Sequence, residues 1–144
     1  MSKEFDRCLE KKKIIPFDGG KELVDKELAV AVSDLFDAKS GYKNKRFKWA
    51  TIQAYYAMFH AARALIYSKG YREKSHYYLV VALKALFVDP GEIDARSARD
   101  LLNAMNLRES ADYEADFSQD GAKSVIDSAD RFIEKAEAIL LPDK

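Results

Sequence analysis

The fold is decided by residues 47–69, which read FKWATIQAYYAMFHAARALIYSK. Large apolar side chains alternate with small ones right round a helix of this register, and the small ones are alanines at positions 50, 54, 57, 61, 62 and 64. A helix that is apolar on all sides is surrounded by other helices, and alanines let those neighbours approach closely. Gln53, His60 and Arg63 interrupt the stretch. We therefore predict a buried central helix rather than a membrane span, with Gly70 as its left-handed C-cap.

Apolar residues at three- and four-residue spacing predict four more helices around the central one. Glycine or proline marks the end of three of them, and Ser75 is the expected N-cap of another. The predicted spans are about 21–40, 75–87, 93–113 and 118–141. No segment alternates with a period of two, so no sheet is predicted. The expected fold is an all-α, up-and-down helical bundle of about five helices over residues 18–141, after an N-terminal arm over residues 1–17.

The composition limits the classes of function. Lys plus Arg and Asp plus Glu are equal at 24 each, which favours neither a polyanion-binding nor a membrane-surface protein but leaves room for a local basic patch. The single cysteine, Cys8, cannot form an internal disulfide, and this fits a reducing cytosol. The charged first residues contain no apolar signal-peptide core. We expect a soluble, cytoplasmic protein without membrane association.

Polar side chains on the central helix fall on one stripe. Its members are spaced by three or four residues and share a face of the helix: Trp49, Gln53, Tyr56, His60, Arg63 and Tyr67. One interpretation is that the aromatic rings fill the core while His60 and Arg63 hydrogen-bond to neighbouring helices. The other is that the stripe faces a cleft or a subunit interface, where Tyr, Trp and Arg combine apolar area with a polar tip.

A second set of polar residues lies at the end of the fourth predicted helix. Leu101 and Met105 belong to its buried face, and continuing that face leads to Arg108 and Asp112. The i to i+4 spacing lets Asp112 pair with Arg108. Such a pair either has only a structural role at the end of the helix or positions Arg108 beside a functional site. Leu107 falls opposite the buried face, which favours a subunit contact there.

Metal and cofactor chemistry have little support in the sequence. His60 and His76 are far apart, and neither lies in a metal-ligand spacing such as His-Glu-x-x-His. Gly19-Gly20 indicates a turn rather than a phosphate-binding loop. Cys8 has no evident activating base, so we expect no role in catalysis for it. The sequence therefore predicts neither a metal site nor a cofactor.

Several of these positions carry a resemblance to a known family. Residues 55–65 read YYAMFHAARAL, Lys69-Gly70 and Ser75-His76 follow, and residues 108–113 read RESADY. In this order, over about residues 20–140, they resemble the small stand-alone prokaryotic branch of the HEPN family. The resemblance implies a bundle of about five helices, usually a homodimer, in a toxin–antitoxin or related defence system. It also implies a small nucleotidyltransferase as partner, which can adenylylate a tyrosine near the motif.

The resemblance further implies a candidate active site. Many HEPN proteins are metal-independent endoribonucleases that use an Arg followed after four to six residues by a His, with two such motifs meeting across the dimer. Here Tyr113 follows Arg108 at that distance, and no His comes later in the chain. Tyrosine is a poor base at neutral pH. Arg108 can still stabilise phosphate charge, and His60 or His76 can supply the imidazole where the fold brings one of them near.

The predicted site combines both sets of residues. The expected catalytic residues are Arg108, Asp112 and Tyr113, and the expected binding residues are Arg108, Tyr56, His60, Arg63 and His76. We expect the catalytic residues to cluster at the helix end, in a concave pocket that faces the dimer mate. Three functions fit: an RNA- or nucleotide-binding toxin with or without endoribonuclease activity, a non-catalytic module that a nucleotidyltransferase binds and modifies, and a purely structural dimer.

Overall fold

The computed structural model describes residues 2–142 and confirms the predicted helical bundle. Six α-helices account for most of the chain: α1 Lys3–Glu10, α2 Val24–Lys43, α3 Phe47–Ser68, α4 His76–Leu83, α5 Ala95–Tyr113 and α6 Gln119–Leu140. A 3-10 turn precedes α2 and a π-helical turn extends α4, over Asp18–Leu23 and Lys84–Val88. Within residues 2–142, no helix has both the length and the apolar character that crossing a membrane requires.

Helix α3 is the centre of the bundle, as the sequence predicts. Most of its residues are buried, and it packs against α2, α5 and α6. Its alanines at positions 50, 54, 57, 61, 62 and 64 have no exposed surface, which lets the surrounding helices come close. Tyr55, Met58, Leu65 and Ile66 fill the space between the helices. Gly70 follows with a φ of +83°, in the left-handed region expected of a residue that ends a helix.

The prediction that the chain contains no sheet is wrong at one place. Strand β1, Ile14–Pro16, pairs with strand β2, Tyr71–Glu73, in antiparallel register with Ile14 opposite Glu73. Three residues are too few to show the alternation by which a strand is recognised in sequence. The pairing matters for the site because it carries Glu73 into the protein interior, where the residue is 5% exposed.

The first seventeen residues, expected as an arm, contain a short helix as well as β1. The Oγ of Ser2 caps α1 by accepting a hydrogen bond from the backbone N–H of Phe5 at 3.1 Å. Phe5 is completely buried, and its ring meets the ring of Tyr71 edge to face at 5.4 Å. Helix α1 buries only Phe5 and Cys8, which is too few positions for a visible period.

Helix α5 is anchored to α6 at its first turn. The carboxylate of Asp94, the N-cap residue of α5, accepts hydrogen bonds from Lys135 Nζ at 2.6 Å and from Ser97 Oγ at 2.7 Å. These two bonds lower the pKa of Asp94 to about 2. Because Lys135 belongs to α6, the contact fixes α5 relative to the rest of the bundle. The far end of α5 lies beside α3 through its own buried residues, among them Met105 and Ala111.

Candidate functional site

Arg108 lies near the end of α5, beside the core. Its side chain is only 13% exposed, because it continues the face of the helix that Leu101 and Met105 bury. Its Nη2 atom donates a hydrogen bond to the hydroxyl of Tyr56 at 3.0 Å and lies 3.5 Å from Asp112 Oδ2. The pairing with Asp112 that the spacing predicts is thus present. The contact with Tyr56 joins the end of α5 to the polar stripe of α3.

The Arg108 guanidinium is flanked by two aromatic rings. Its central carbon lies 5.4 Å from the ring centre of Tyr56 and 5.4 Å from that of Tyr113, within the range of cation–π contacts. The Tyr113 side chain is itself 74% exposed. The Nε atom of Arg108 is buried and has no hydrogen-bond partner among residues 2–142. An unsatisfied buried donor costs roughly 1–3 kcal/mol, so an incoming acceptor would be favourable at this position.

His76 begins α4 and lies against the aromatic side chains of α3. Its Nδ1 atom shares a hydrogen bond with the hydroxyl of Tyr55, and its ring stacks on Phe59 with 4.6 Å between ring centres. Burial raises the pKa of Tyr55, so that phenol keeps its proton at neutral pH. Burial and the positive charges of Arg108 and Arg63 lower the pKa of His76. The His76 imidazole is therefore neutral at pH 7, and the positive charge of Arg108 disfavours its protonation.

His60 faces the acidic side of α2. Its Nδ1 atom lies 2.6 Å from Glu27 Oε2, and its Nε2 atom lies 3.8 Å from Asp34 Oδ2. Burial raises the pKa of Asp34, and the nearby His60 acts in the opposite direction. Carboxylates thus approach both ring nitrogens of His60. This arrangement holds α2 against α3 and leaves little opportunity for the imidazole to meet a phosphate.

Arg63 belongs to the same network. Its Nε atom donates to Glu73 Oε2 at 3.0 Å, and its Nη1 atom lies 3.8 Å from Glu27 Oε1. The guanidinium covers the ring of Phe59 at 4.8 Å. Burial lowers the pKa of Arg63, but the Glu73 carboxylate and its hydrogen bond oppose this and the pKa lies above its usual value. His60 and Arg63 thus match the interpretation in which polar side chains of the stripe hydrogen-bond to neighbouring elements.

The residues predicted from the sequence thus fall into two groups. One group surrounds Tyr56 and is called the Arg108 cluster: Arg108, Asp112, Tyr113, Tyr56 and His76. Within it the ring of Tyr56 lies 6.1 Å from the ring of His76 and 5.4 Å from the Arg108 guanidinium carbon, so one phenol ring neighbours both groups. The other group is His60 and Arg63, which Glu27 links through its two carboxylate oxygens. Both imidazole rings lie near the Tyr56 ring, His76 at 6.1 Å and His60 at 6.4 Å, but carboxylates face the nitrogens of His60, whereas the charge of Arg108 acts on His76.

Sequence reasoning missed the carboxylates that pair with His60 and Arg63. Glu27 and Asp34 are seven residues apart, so a signal existed, since this spacing puts both on one face of α2. No comparable signal marks Glu73. It lies in a short polar stretch whose burial depends entirely on the pairing of β2 with β1.

The Arg108 cluster combines groups that can interact with an anion with the carboxylate of Asp112, 3.5 Å from Arg108. The guanidinium supplies positive charge and N–H donors, the tyrosines supply hydroxyls and ring faces, and His76 supplies a neutral imidazole. Within residues 2–142, no three His, Cys, Asp or Glu side chains are arranged to hold a metal ion.

Known proteins match most of the chain. The HEPN domain family matches residues 26–139. A Methanocaldococcus jannaschii protein named "Putative toxin MJ0605" is 31% identical over 121 residues, covering 83% of this chain and 90% of that protein. A second protein of this organism, "Putative toxin MJ0142", is 24% identical over 123 residues, 84% of each chain. A "UPF0332 protein" of Archaeoglobus fulgidus is 31% identical over 103 residues, 70% of this chain and 82% of that protein. The chain therefore belongs to the HEPN domain family.

Proposed function

We propose that this chain is the HEPN component of a toxin–antitoxin or related defence system and binds RNA or a nucleotide at Arg108. The observation that supports the proposal is the burial of the Arg108 guanidinium and its incomplete set of hydrogen-bond partners. It is almost buried, has one carboxylate at 3.5 Å, and keeps a buried Nε–H without a partner among residues 2–142. Because Nε has no accessible surface, a phosphate would first meet the exposed part of the side chain, and a small shift of the guanidinium would then pair Nε and one Nη with the phosphate oxygens in bidentate geometry. Relatives named as toxins support the biological setting.

The proposed activity of the Arg108 cluster is metal-independent cleavage of RNA. In this reaction the ribose 2′-oxygen gives its proton to a base and attacks the adjacent phosphorus, while the bond to the 5′-oxygen breaks and that oxygen takes up a proton. The Arg108 guanidinium would stabilise the charge on the phosphorus oxygens. The lowered pKa of His76 keeps this imidazole in the form that accepts a proton at pH 7, so His76 is the candidate base in place of the missing motif histidine.

We also propose that the protein is a homodimer whose twofold interface includes the end of α5. Three large apolar side chains are exposed in this region: Leu107 at 38%, Phe117 at 47% and Tyr113 at 74%. A twofold axis beside them would bring two Arg108 residues near each other, and a bound anion would relieve their repulsion. Sedimentation at micromolar concentration is expected to give a dimer. A 16.4 kDa species alone would contradict the proposal.

A second candidate function is that of a target for a small nucleotidyltransferase. The observation that favours it is the exposure of Tyr113, whose ring lies 5.4 Å from the Arg108 guanidinium. In adenylylation the phenol oxygen attacks the α-phosphorus of ATP, pyrophosphate leaves, and the phenol proton passes to a base of the transferase. Co-expression with a neighbouring nucleotidyltransferase should increase the intact mass by one adenylyl group. The increase should disappear in Tyr113→Phe and persist in Tyr77→Phe, which removes a half-exposed tyrosine elsewhere.

Growth inhibition separates the two candidate functions. Expression of a toxin should slow growth, and co-expression of a neighbouring antitoxin gene should relieve the effect. Arg108→Ala should then abolish the inhibition, whereas Arg96→Ala, on the solvent side of the same helix, should retain it. Equal inhibition by the two variants would contradict a functional role of the Arg108 cluster. A stable complex with a nucleotidyltransferase and no toxicity would favour the second candidate.

A further inference from the structure

A groove of about 380 Å³ lies between β2 and the start of α4, on the His76 side of the Arg108 cluster. It is lined chiefly by polar and charged side chains: Arg63, Arg72, Glu73, Lys74, Ser75 and His76. Of these lining residues, only His76 and Arg63 also belong to the two groups of predicted site residues. Sequence reasoning assigned nothing to Arg72, Glu73 or Lys74, because the short strand that presents them was not predicted.

The rim of the groove carries uncompensated positive charge. Arg63 is neutralised by Glu73 and Glu27. Among residues 2–142, by contrast, no carboxylate pairs with Arg72 or Lys74. Arg72 lies over the ring of Phe17 at 5.0 Å, which holds its guanidinium without neutralising it. Two cations, one in β2 and one directly after it, therefore line the groove, and an anion is the complementary ligand.

The start of α4 adds neutral donors to the same groove. Ser75 occupies the N-cap position in an extended conformation, with φ −155° and ψ 166°, yet its hydroxyl makes no capping hydrogen bond. The hydroxyl and the first N–H groups of α4 are thus not used by the helix itself, and a phosphate is a suitable acceptor for them.

The buried carboxylate of Glu73 indicates which further functional group the ligand should carry. Its side chain is 3% exposed, its Oε2 atom accepts from Arg63, and its Oε1 atom is buried without a hydrogen-bond partner among residues 2–142. A buried carboxylate oxygen without a donor is unfavourable. A hydroxyl group carried by the ligand would satisfy it. Phosphate and hydroxyl occur side by side in a ribonucleotide, and the 2′-hydroxyl is what distinguishes RNA from DNA.

We propose that this groove binds a ribonucleotide unit of RNA, with its phosphate at Arg72 and Lys74 and its 2′-hydroxyl at Glu73. The inference rests on the proposed function, since the same strand would also occupy the Arg108 cluster. His76 lines the groove, and its ring lies 6.1 Å from that of Tyr56, whose hydroxyl Arg108 holds. The groove and Arg108 are therefore neighbouring positions along one surface, and a single strand can reach both.

The test is fluorescence-anisotropy titration with a short single-stranded oligoribonucleotide and with the oligodeoxyribonucleotide of the same sequence. The double variant Arg72→Ala/Lys74→Ala should bind the RNA at least about tenfold more weakly. It should also lower the slope of log K against log salt by about 0.7, because the one phosphate held by both side chains contributes ~0.7 on a single strand. The matched control Arg96→Ala/Arg99→Ala removes the same charge from the exposed side of α5 and should leave both quantities nearly unchanged.

Glu73→Ala tests the second half of the proposal, because it removes every hydrogen-bonding group that the side chain offers to a hydroxyl. The ratio of DNA to RNA Kd should fall toward one in this variant, and this ratio does not depend on the fraction of protein that is folded. Unchanged RNA binding by Arg72→Ala/Lys74→Ala, together with weaker binding by Arg108→Ala, would overturn the groove proposal and leave the proposed function intact. An unchanged Kd ratio in Glu73→Ala would overturn the role of the 2′-hydroxyl. A wild-type protein that binds no RNA would refute the proposed function itself.

Discussion

Replacing Glu73 with alanine should destabilise the protein more than any surface change of similar size. Glu73 is 5% exposed, and its Oε2 atom lies 3.0 Å from Arg63 Nε. At an effective dielectric constant of about 20, unit charges at this distance attract by roughly 5–6 kcal/mol, and desolvation offsets part of this. Glu27 remains 3.8 Å from Arg63 in the variant and compensates part of the charge that is left. We therefore expect a loss of about 2–4 kcal/mol in the free energy of unfolding.

Urea unfolding followed by circular dichroism measures this loss. Glu73→Gln keeps the shape and an acceptor for Arg63, so it should cost less, about 1–2 kcal/mol. The matched control is Glu134→Ala, which truncates an exposed glutamate on α6 and should stay within about 0.5 kcal/mol of the wild type. If Glu73→Ala proved as mild as Glu134→Ala, the ion pair would contribute nothing, and the network that links α3 to β2 would be wrongly described.

Three further outcomes follow from the fold. Ala57→Leu should cost about 1–3 kcal/mol in urea unfolding because the site has no exposed surface, whereas Ala138→Leu on the exposed side of α6 should be nearly neutral. The lowered pKa of His76 means that the unfolded chain binds its proton more readily. The free energy of unfolding should therefore decrease as pH falls below about 6.5, and this contribution should be missing in His76→Gln. Lys135→Met should raise the pKa of Asp94 from about 2 toward its ordinary value, as measured by NMR titration of the carboxyl group.

The helices of the bundle were predictable because their signals are local and repeated. Helix α3 is recognised by alanines on every side, and α6 by an apolar stripe that runs its whole length. Helix α1 and the two strands were not predicted because each buries too few residues to define a period. Their positions depend on contacts between parts of the chain that are far apart in sequence.

The same distinction holds for the site. The pairing of Arg108 with Asp112 follows from helical spacing alone. The contact between Arg108 and Tyr56 joins residues 52 positions apart, and that between Arg63 and Glu73 needs the turn after α3 and the pairing of β2. The choice between the two histidines was likewise a question of tertiary structure. Sequence identified both His60 and His76, and the packing of α2 and α4 against α3 gives them different surroundings.

The most direct test of the central claim is the affinity of Arg108→Ala for a short single-stranded oligoribonucleotide, measured beside that of Arg96→Ala at the same salt concentration. A charge-assisted hydrogen bond is worth about 1.5–3 kcal/mol, so Arg108→Ala should bind about 10- to 100-fold more weakly than the wild type. Arg96→Ala, about 18 Å away along the axis of α5, should bind within about twofold of it. Equal affinities for the two variants would contradict the claim that Arg108 forms the anion site of this HEPN protein.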